Sequence, residues 1–129
     1  VGVAEGDGTN DVSYLADKIV NLRIMEDEGG RMNRSVSETK DAVLVVSQFT
    51  LIAETRKGRR PSFAGAAAPK IAEPLVCDLT DLLHAAGVTV GGGEFGATMN
   101  VELINHGPVT IILDSRDRHV SRRSAKSTG

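Results

Sequence analysis

The run Ala42-Val43-Leu44-Val45-Val46 constrains this chain more than any other feature, because Ser47-Gln48-Phe49-Thr50 follows it without a turn residue between. β-Branched side chains fit a pleated strand. An apolar stretch without polar alternation predicts a strand covered on both faces. The strand is expected from Asp41 to Leu51. Such a strand needs helices to cover it, and two segments have the spacing for them. Val12, Leu15, Ala16, Ile19 and Leu22 recur at helical intervals after Thr9 or Asn10, either of which can cap the helix, with Asp11 in its first turn. Leu75, Val76, Leu79, Leu82, Leu83 and Ala86 make a second stripe, closed by Gly87. Pro74 has no N–H for the helix ladder, so this helix starts near it or bends there.

The other elements read as strands and turns. Val1-Gly2-Val3 has the composition of a strand's end, before a turn at Gly6-Asp7-Gly8. Arg23-Ile24-Met25 and Gly30-Arg31-Met32-Asn33 flank the turn Asp27-Glu28-Gly29 as a hairpin. Val88-Thr89-Val90 precedes the flexible Gly91-Gly92-Gly93. From Thr98 to Asn105 the chain alternates, with Met99, Val101 and Leu103 on one side. After the turn Asn105-His106-Gly107-Pro108, Val109 to Leu113 reads as another buried strand. The expected fold class is α/β, with mixed, largely antiparallel β-sheets and two helices. One domain is expected over residues 1–114, and a basic, disordered tail over 115–129.

Composition narrows the function classes. The 129 residues, 40% of them apolar, suit one core. Cys77 stands alone, so no intrachain disulfide can form; it reads as a small buried hydrophobe on the second helix. The start carries no basic residue and no long apolar segment, and no run approaches the ~20 apolar residues of a membrane span. A soluble, cytoplasmic protein without a membrane partner is expected. A net charge of −2 argues against a wholly basic nucleic-acid coat. Positive charge gathers at Arg56-Lys57-Gly58-Arg59-Arg60 and in the tail at Arg116, Arg118, Arg122, Arg123 and Lys126. No metal-ligand spacing is present, and the triple glycine is not followed by the Lys and Ser or Thr of a phosphate loop, so no cofactor is expected.

Chemistry can sit in two segments. In Ser47-Gln48-Phe49-Thr50, two hydroxyls and an amide close an apolar strand; strand-end N–H groups and hydroxyls can hold a carbonyl and its oxyanion. They can equally mark the sheet's edge. In Asn105-His106-Gly107-Pro108-Val109-Thr110, His106 can act as a base or simply be exposed. Because only about 5–6% of X–Pro bonds are cis, composition alone favours a trans turn there. His84 and His119 have no carboxylate or thiol at a recognisable spacing.

Taken in order, these segments resemble the D-aminoacyl-tRNA deacylases. Ser47-Gln48-Phe49-Thr50-Leu51 and Asn105-His106-Gly107-Pro108-Val109-Thr110 match the two signature motifs of that family. Arg31-Met32-Asn33, Gly58-Arg59-Arg60-Pro61-Ser62-Phe63 and Phe95-Gly96-Ala97-Thr98-Met99 support the match, which runs from Val1 to about Leu113. The resemblance implies a hydrolase that cleaves the ester between a D-amino acid and the 3′ end of tRNA, and glycyl-tRNA as well. It implies a homodimer with the active site at the interface, and a cis Gly107-Pro108 bond whose carbonyls exclude an L side chain. Ser47, Gln48, Phe49 and Thr50 would hold the scissile ester, with Gln48 and the backbone of Phe49 and Thr50 placing the carbonyl. Thr50 as nucleophile would need a base that the sequence does not offer. That suits assistance by the terminal ribose 2′-hydroxyl. Phe63 would stack on the terminal adenosine. Met99 would line the pocket or pack in the core.

Two departures accompany the match. Family members begin about thirty residues earlier with strands of the sheet, whose absence would leave backbone groups unpaired. The arginine-rich tail lies beyond the family's usual end. The alternative expectation is therefore a truncated, non-catalytic protein that binds the tRNA 3′ end.

Overall fold

The structure, a computed structural model, describes residues 1–121. Helix α1 (Thr9–Asn21) forms where Val12 and Ala16, both buried, recur one turn apart. Its cap is Gly8 and not Thr9 or Asn10. The Asp11 carboxylate reaches back to accept the Gly8 N–H at 2.8 Å, satisfying a donor that the helix leaves free. A hairpin follows, β1 (Met25–Glu26) antiparallel to β2 (Met32–Arg34). Asp27 shapes its turn by accepting from the N–H groups of Gly29 and Arg31. The short helix α2 (Val36–Thr39) is capped by Ser35, whose hydroxyl accepts the Glu38 N–H at 3.1 Å.

Strand β3 (Ala42–Val45) leads through helix α3 (Pro69–Ala85) to strand β4 (Thr89–Gly92). The two strands pair in parallel, from Ala42 opposite Thr89 to Val45 opposite Gly92. Parallel neighbours need a long crossover, and α3 supplies it. Pro69 opens α3 at a position where no N–H is required. Pro74 lies inside the helix, so α3 neither starts at that proline nor waits for Leu75. Gly87 ends it with φ +84°, the left-handed conformation that glycine adopts without Cβ strain.

The core lies where α1 and α3 meet β3. Val12, Ala16, Val36, Val45, Leu79, Leu83 and Val88 form one cluster, with Leu83 fully buried. Cys77 is on α3 as expected, but its side is exposed, so it is not a core residue.

Several expectations need correction. The sheets are two pairs, one antiparallel and one parallel, not a largely antiparallel set, and α2 makes a third helix. The strand expected from Asp41 to Leu51 stops at Val45; Phe49–Leu51 turns as a 3-10 helix. Only one face of β3 is covered. Val43 and Val45 pack toward the helices, while alternation sends Leu44 the other way, where it is 61% exposed. Neither Thr98–Asn105 nor Val109–Leu113 forms a strand. No described segment hydrogen-bonds to their backbone, and without a neighbour an alternating sequence cannot become a ladder. Ile104 and Ile112 consequently stand 95% and 88% exposed.

The tail is ordered at its start. Ser115–His119 form a 3-10 helix on the first turn of α1, with Ser115 buried. Arg118 pairs with Asp11 and donates to the Ser115 carbonyl at 3.0 Å. The rest of the expected tail, residues 122–129, lies outside the described residues.

Two predictions follow from this packing. Leu83→Ala is expected to cost about 2–5 kcal/mol in urea unfolding, as cavity-forming core truncations do. The Gly8 N–H bond, then the Ser115 hydroxyl and Arg118, hold the Asp11 carboxyl down at about 2, against 3.8 ordinarily. A depressed carboxylate stabilises the fold above its unfolded pKa, and that contribution drains away as pH falls through the folded one. Asp11→Asn should therefore flatten the loss of stability between about pH 4 and pH 2, measured by thermal melts across that range.

Candidate active site

Val1 to Ala4 run extended between two other segments. On one side Val1 is bonded to Val46 and Gln48, each at 2.7 Å. On the other, Val3 accepts the Ala67 N–H at 2.9 Å, and Ala4 bridges Ala66. These bonds bring the end of the β3 segment beside the loop that precedes α3. The small side chains of Ala66 and Ala67 allow that close approach. Phe95 to Met99 lie on the remaining side, and a cavity of about 610 Å³ opens among them.

Ser47, Gln48, Phe49 and Met99 all line this cavity. Thr50 is joined to them because the Gln48 side-chain amide donates to its hydroxyl. The Phe49 and Thr50 N–H groups begin a 3-10 turn and donate to no acceptor among the described residues. Two free donors beside a hydroxyl and an amide can hold a carbonyl oxygen and the negative charge it develops. No carboxylate, histidine or lysine hydrogen-bonds the Thr50 hydroxyl among the described residues. His84 and His119 are exposed and do not line the cavity.

Phe63 meets the site from outside. Its ring stands edge-on to Phe49, with centroids 5.2 Å apart and planes at 75°. It is held there by a two-bond bridge between Glu54 and Ser62, each bond 2.8 Å.

Gly107 and Pro108 are not among the cavity's lining residues. They belong to an exposed stretch, and their peptide bond is cis, against the composition-based expectation and in line with the resemblance. At Gly107 a Cβ would fall 2.3 Å from the Val109 nitrogen and 2.9 Å from Asn105 Oδ1, so the turn closes only around glycine.

A larger cavity of about 720 Å³ lies between α1, Leu51–Glu54 and Leu113–Arg116. Its acidic residues are already engaged: Asp7 accepts the Ala4 N–H, Asp11 that of Gly8 and Glu54 that of Arg56, and Asp114 pairs with Arg116. The smaller cavity is the one lined by Ser47, Gln48 and Phe49, with Thr50 next to them in the same turn. Phe95, Ala66 and Ala67 were not singled out as lining residues from sequence, since the alanine run before Pro69 reads only as a featureless loop.

The family model described as D-Tyr-tRNA(Tyr) deacylase matches residues 1–114. The chain is 53% identical over 117 residues to a D-aminoacyl-tRNA deacylase of Herpetosiphon aurantiacus, covering 91% of this chain and 76% of that protein. It is 56% identical over 118 residues to a D-aminoacyl-tRNA deacylase of Dehalococcoides mccartyi, covering 92% and 77%. Among solved structures, a c-Myc DNA unwinding element binding protein superposes with a TM-score of 0.81 at 35% identity, covering 88% of this chain and 78% of that one. A structure described as a probable eukaryotic D-amino acid tRNA deacylase shares the fold, with a TM-score of 0.68 at 16% identity, covering 84% and 77%. The chain belongs to the D-Tyr-tRNA(Tyr) deacylase family.

One residue outside the motifs controls the cavity wall. A Cβ on Gly93 would lie 2.4 Å from Met99 Sδ. Gly93→Ala is therefore expected to displace the Met99 side chain, read as a changed Met99 methyl resonance in NMR. Because Gly93 is exposed and the obstructing atoms end a flexible side chain, stability should change by no more than about 0.5 kcal/mol.

Proposed function

We infer that this chain is an ester hydrolase that removes D-amino acids from the 3′ end of tRNA. The observation that carries the reading is the convergence of Ser47, Gln48, Phe49 and Met99 on one cavity in a chain of this family. The free Phe49 and Thr50 N–H groups and the Gln48 amide would hold the ester carbonyl. Water attacks the carbonyl carbon, the bond to the ribose 3′ oxygen breaks, and that oxygen takes up a proton. With no base on Thr50, the terminal ribose 2′-hydroxyl is the group that assists, and the protein orients and selects. Phe63, held against Phe49, would offer its face to the terminal adenine. Met99 would contact the amino-acid moiety.

Chiral selection in this reading belongs to Gly107 and Pro108. Their main-chain carbonyls, contributed by the second subunit of a homodimer, would crowd out an L side chain by steric clash. Glycine has no side chain to exclude, so glycyl-tRNA would also be a substrate. The exposed apolar side chains Leu103, Ile104, Ile111 and Ile112, at 72%, 95%, 51% and 88% exposure on either side of the Gly107-Pro108 turn, support the dimer reading. Among the described residues no helix is long and apolar enough to cross a membrane, and an enzyme of tRNA would work in the cytoplasm.

The test is deacylation of a chiral pair. D-tyrosyl-tRNA is expected to be hydrolysed and L-tyrosyl-tRNA spared; equal rates would reject the chiral pocket, and binding without turnover would favour a 3′-end binder. Thr50→Ala should keep the rate within roughly threefold, since no activated nucleophile is lost. Replacing the terminal 2′-hydroxyl by hydrogen should lower it by at least about 10²-fold, the size of a lost proton-transfer partner.

A further inference from the structure

The two basic clusters of the sequence meet different fates in the fold. In the second, Arg116 is tied to Asp114 at 2.6 Å and Arg118 to Asp11, so both charges are spent on internal carboxylates. The first cluster is carried on a hairpin loop, residues 55–61, closed at its base by the paired Glu54–Ser62 backbone bonds. Among the described residues, the one ion pair of this loop joins Arg56 to Glu54 at 3.6 Å. Lys57, Arg59 and Arg60 have no ion-pair partner among the described residues and are exposed. Gly58 sits between Lys57 and Arg59 with φ +68°, turning the chain back at the tip.

The hairpin is also fixed relative to the site. Phe63 directly follows the closing residue Ser62, and its ring rests on Phe49 at the cavity. A set of free cations is thereby held at a defined offset from the place where the ester would lie. The loop has no aromatic, Asn or Gln side chain with which to read a base. Its three arginines and one lysine suit phosphate oxygens, which accept charge-assisted hydrogen bonds whatever the base. Beyond its terminal adenosine the acceptor end of tRNA presents such phosphates first on a single-stranded overhang and then on the A-form acceptor stem.

We propose that Lys57 and Arg59, at the hairpin tip, bind phosphates of the tRNA acceptor end beyond the terminal adenosine. This contact sets how tightly the charged tRNA is held, independently of base sequence and of amino-acid chirality. It rests on the deacylase reading above and adds a second anchoring point to it. Arg60, next to Pro61 and closer along the chain to Phe63, is left to the terminal nucleotide.

The experiment compares the full chain with the Lys57→Ala/Arg59→Ala variant. Binding of fluorescein-labelled, uncharged tRNA is followed by anisotropy from about 50 to 250 mM KCl. Each lost phosphate contact removes about 0.7–0.9 from the slope of log affinity against log salt, so the slope should become shallower by about 1–2. In deacylation, KM for D-tyrosyl-tRNA should rise about five- to twentyfold at low salt, with kcat and the D-over-L ratio retained. The rate on D-tyrosyl-adenosine, which lacks those phosphates, should change less than twofold. The charge-preserving Lys57→Arg/Arg59→Lys variant should restore both affinity and slope. An unchanged slope, an equal loss on D-tyrosyl-adenosine, or failure of the charge-preserving variant to recover would each overturn the proposal. If the unaltered chain hydrolyses neither ester, the deacylase reading fails, and the anisotropy slopes still decide the hairpin separately.

Discussion

The candidate site depends on where the backbone of Val1–Ala4 finds its hydrogen bonds. It is bonded to Val46 and Gln48 on one flank and to Gly65–Ala67 on the other, through Val1, Val3 and Glu5. Peptide groups in a partly buried segment must be paired, so this stretch cannot shift without orphaning donors on both sides. The result is that the polar end of the β3 segment and the alanine loop before α3, distant in sequence, share one cavity. The turn at Phe49–Leu51 then leaves the Phe49 and Thr50 N–H groups without an acceptor among the described residues. A site of this kind is made by interrupting regular structure just where its unpaired donors can be used.

The fold is lopsided for a related reason. Both helices pack on the side of β3 that carries Val43 and Val45, and Leu83 of α3 is sealed at the centre of that contact. The opposite side keeps Leu44 exposed, and the alternating sequence after Met99 runs over the surface without a ladder. The apolar side chains there behave as an uncovered face, which is the property expected of a surface that another chain segment completes. Gly107 and Pro108 belong to this same stretch, so the segment assigned to chiral selection is the one the single chain leaves outside its own cavity.

Charge is divided with similar economy of means. The arginines Arg116 and Arg118 neutralise Asp114 and Asp11, and Arg118 clips the 115–119 turn to the start of α1. Those of the 55–61 hairpin stay largely free beside the aromatic contact of Phe49 with Phe63. Sequence shows two similar basic runs; only the location of carboxylates in space separates a structural clasp from an available cationic surface.

Much of the architecture was legible in the order of residues. The periodicity of Val12, Leu15, Ala16 and Ile19 located α1, and the turn at Asp27-Glu28-Gly29 located the hairpin. Of the segments singled out for chemistry, Ser47, Gln48 and Phe49 line the smaller cavity, whereas Gly107 and Pro108 do not. Local patterns of this sort act through neighbours a turn or a pleat away, so the sequence states them directly. It could not state that β3 would stop at Val45, that α3 would run through Pro74, or that Thr98–Asn105 and Val109–Leu113 would find no partner. Nor could it show Ser115–His119 docked on α1. Those outcomes depend on which distant backbone and which opposite charge come within reach. Sequence by itself determined which segments tend to coil, turn or extend and which side chains hold reactive groups. Tertiary structure alone decided which of them meet, because hydrogen bonds and ion pairs between remote residues form only once the chain has closed the distance between them.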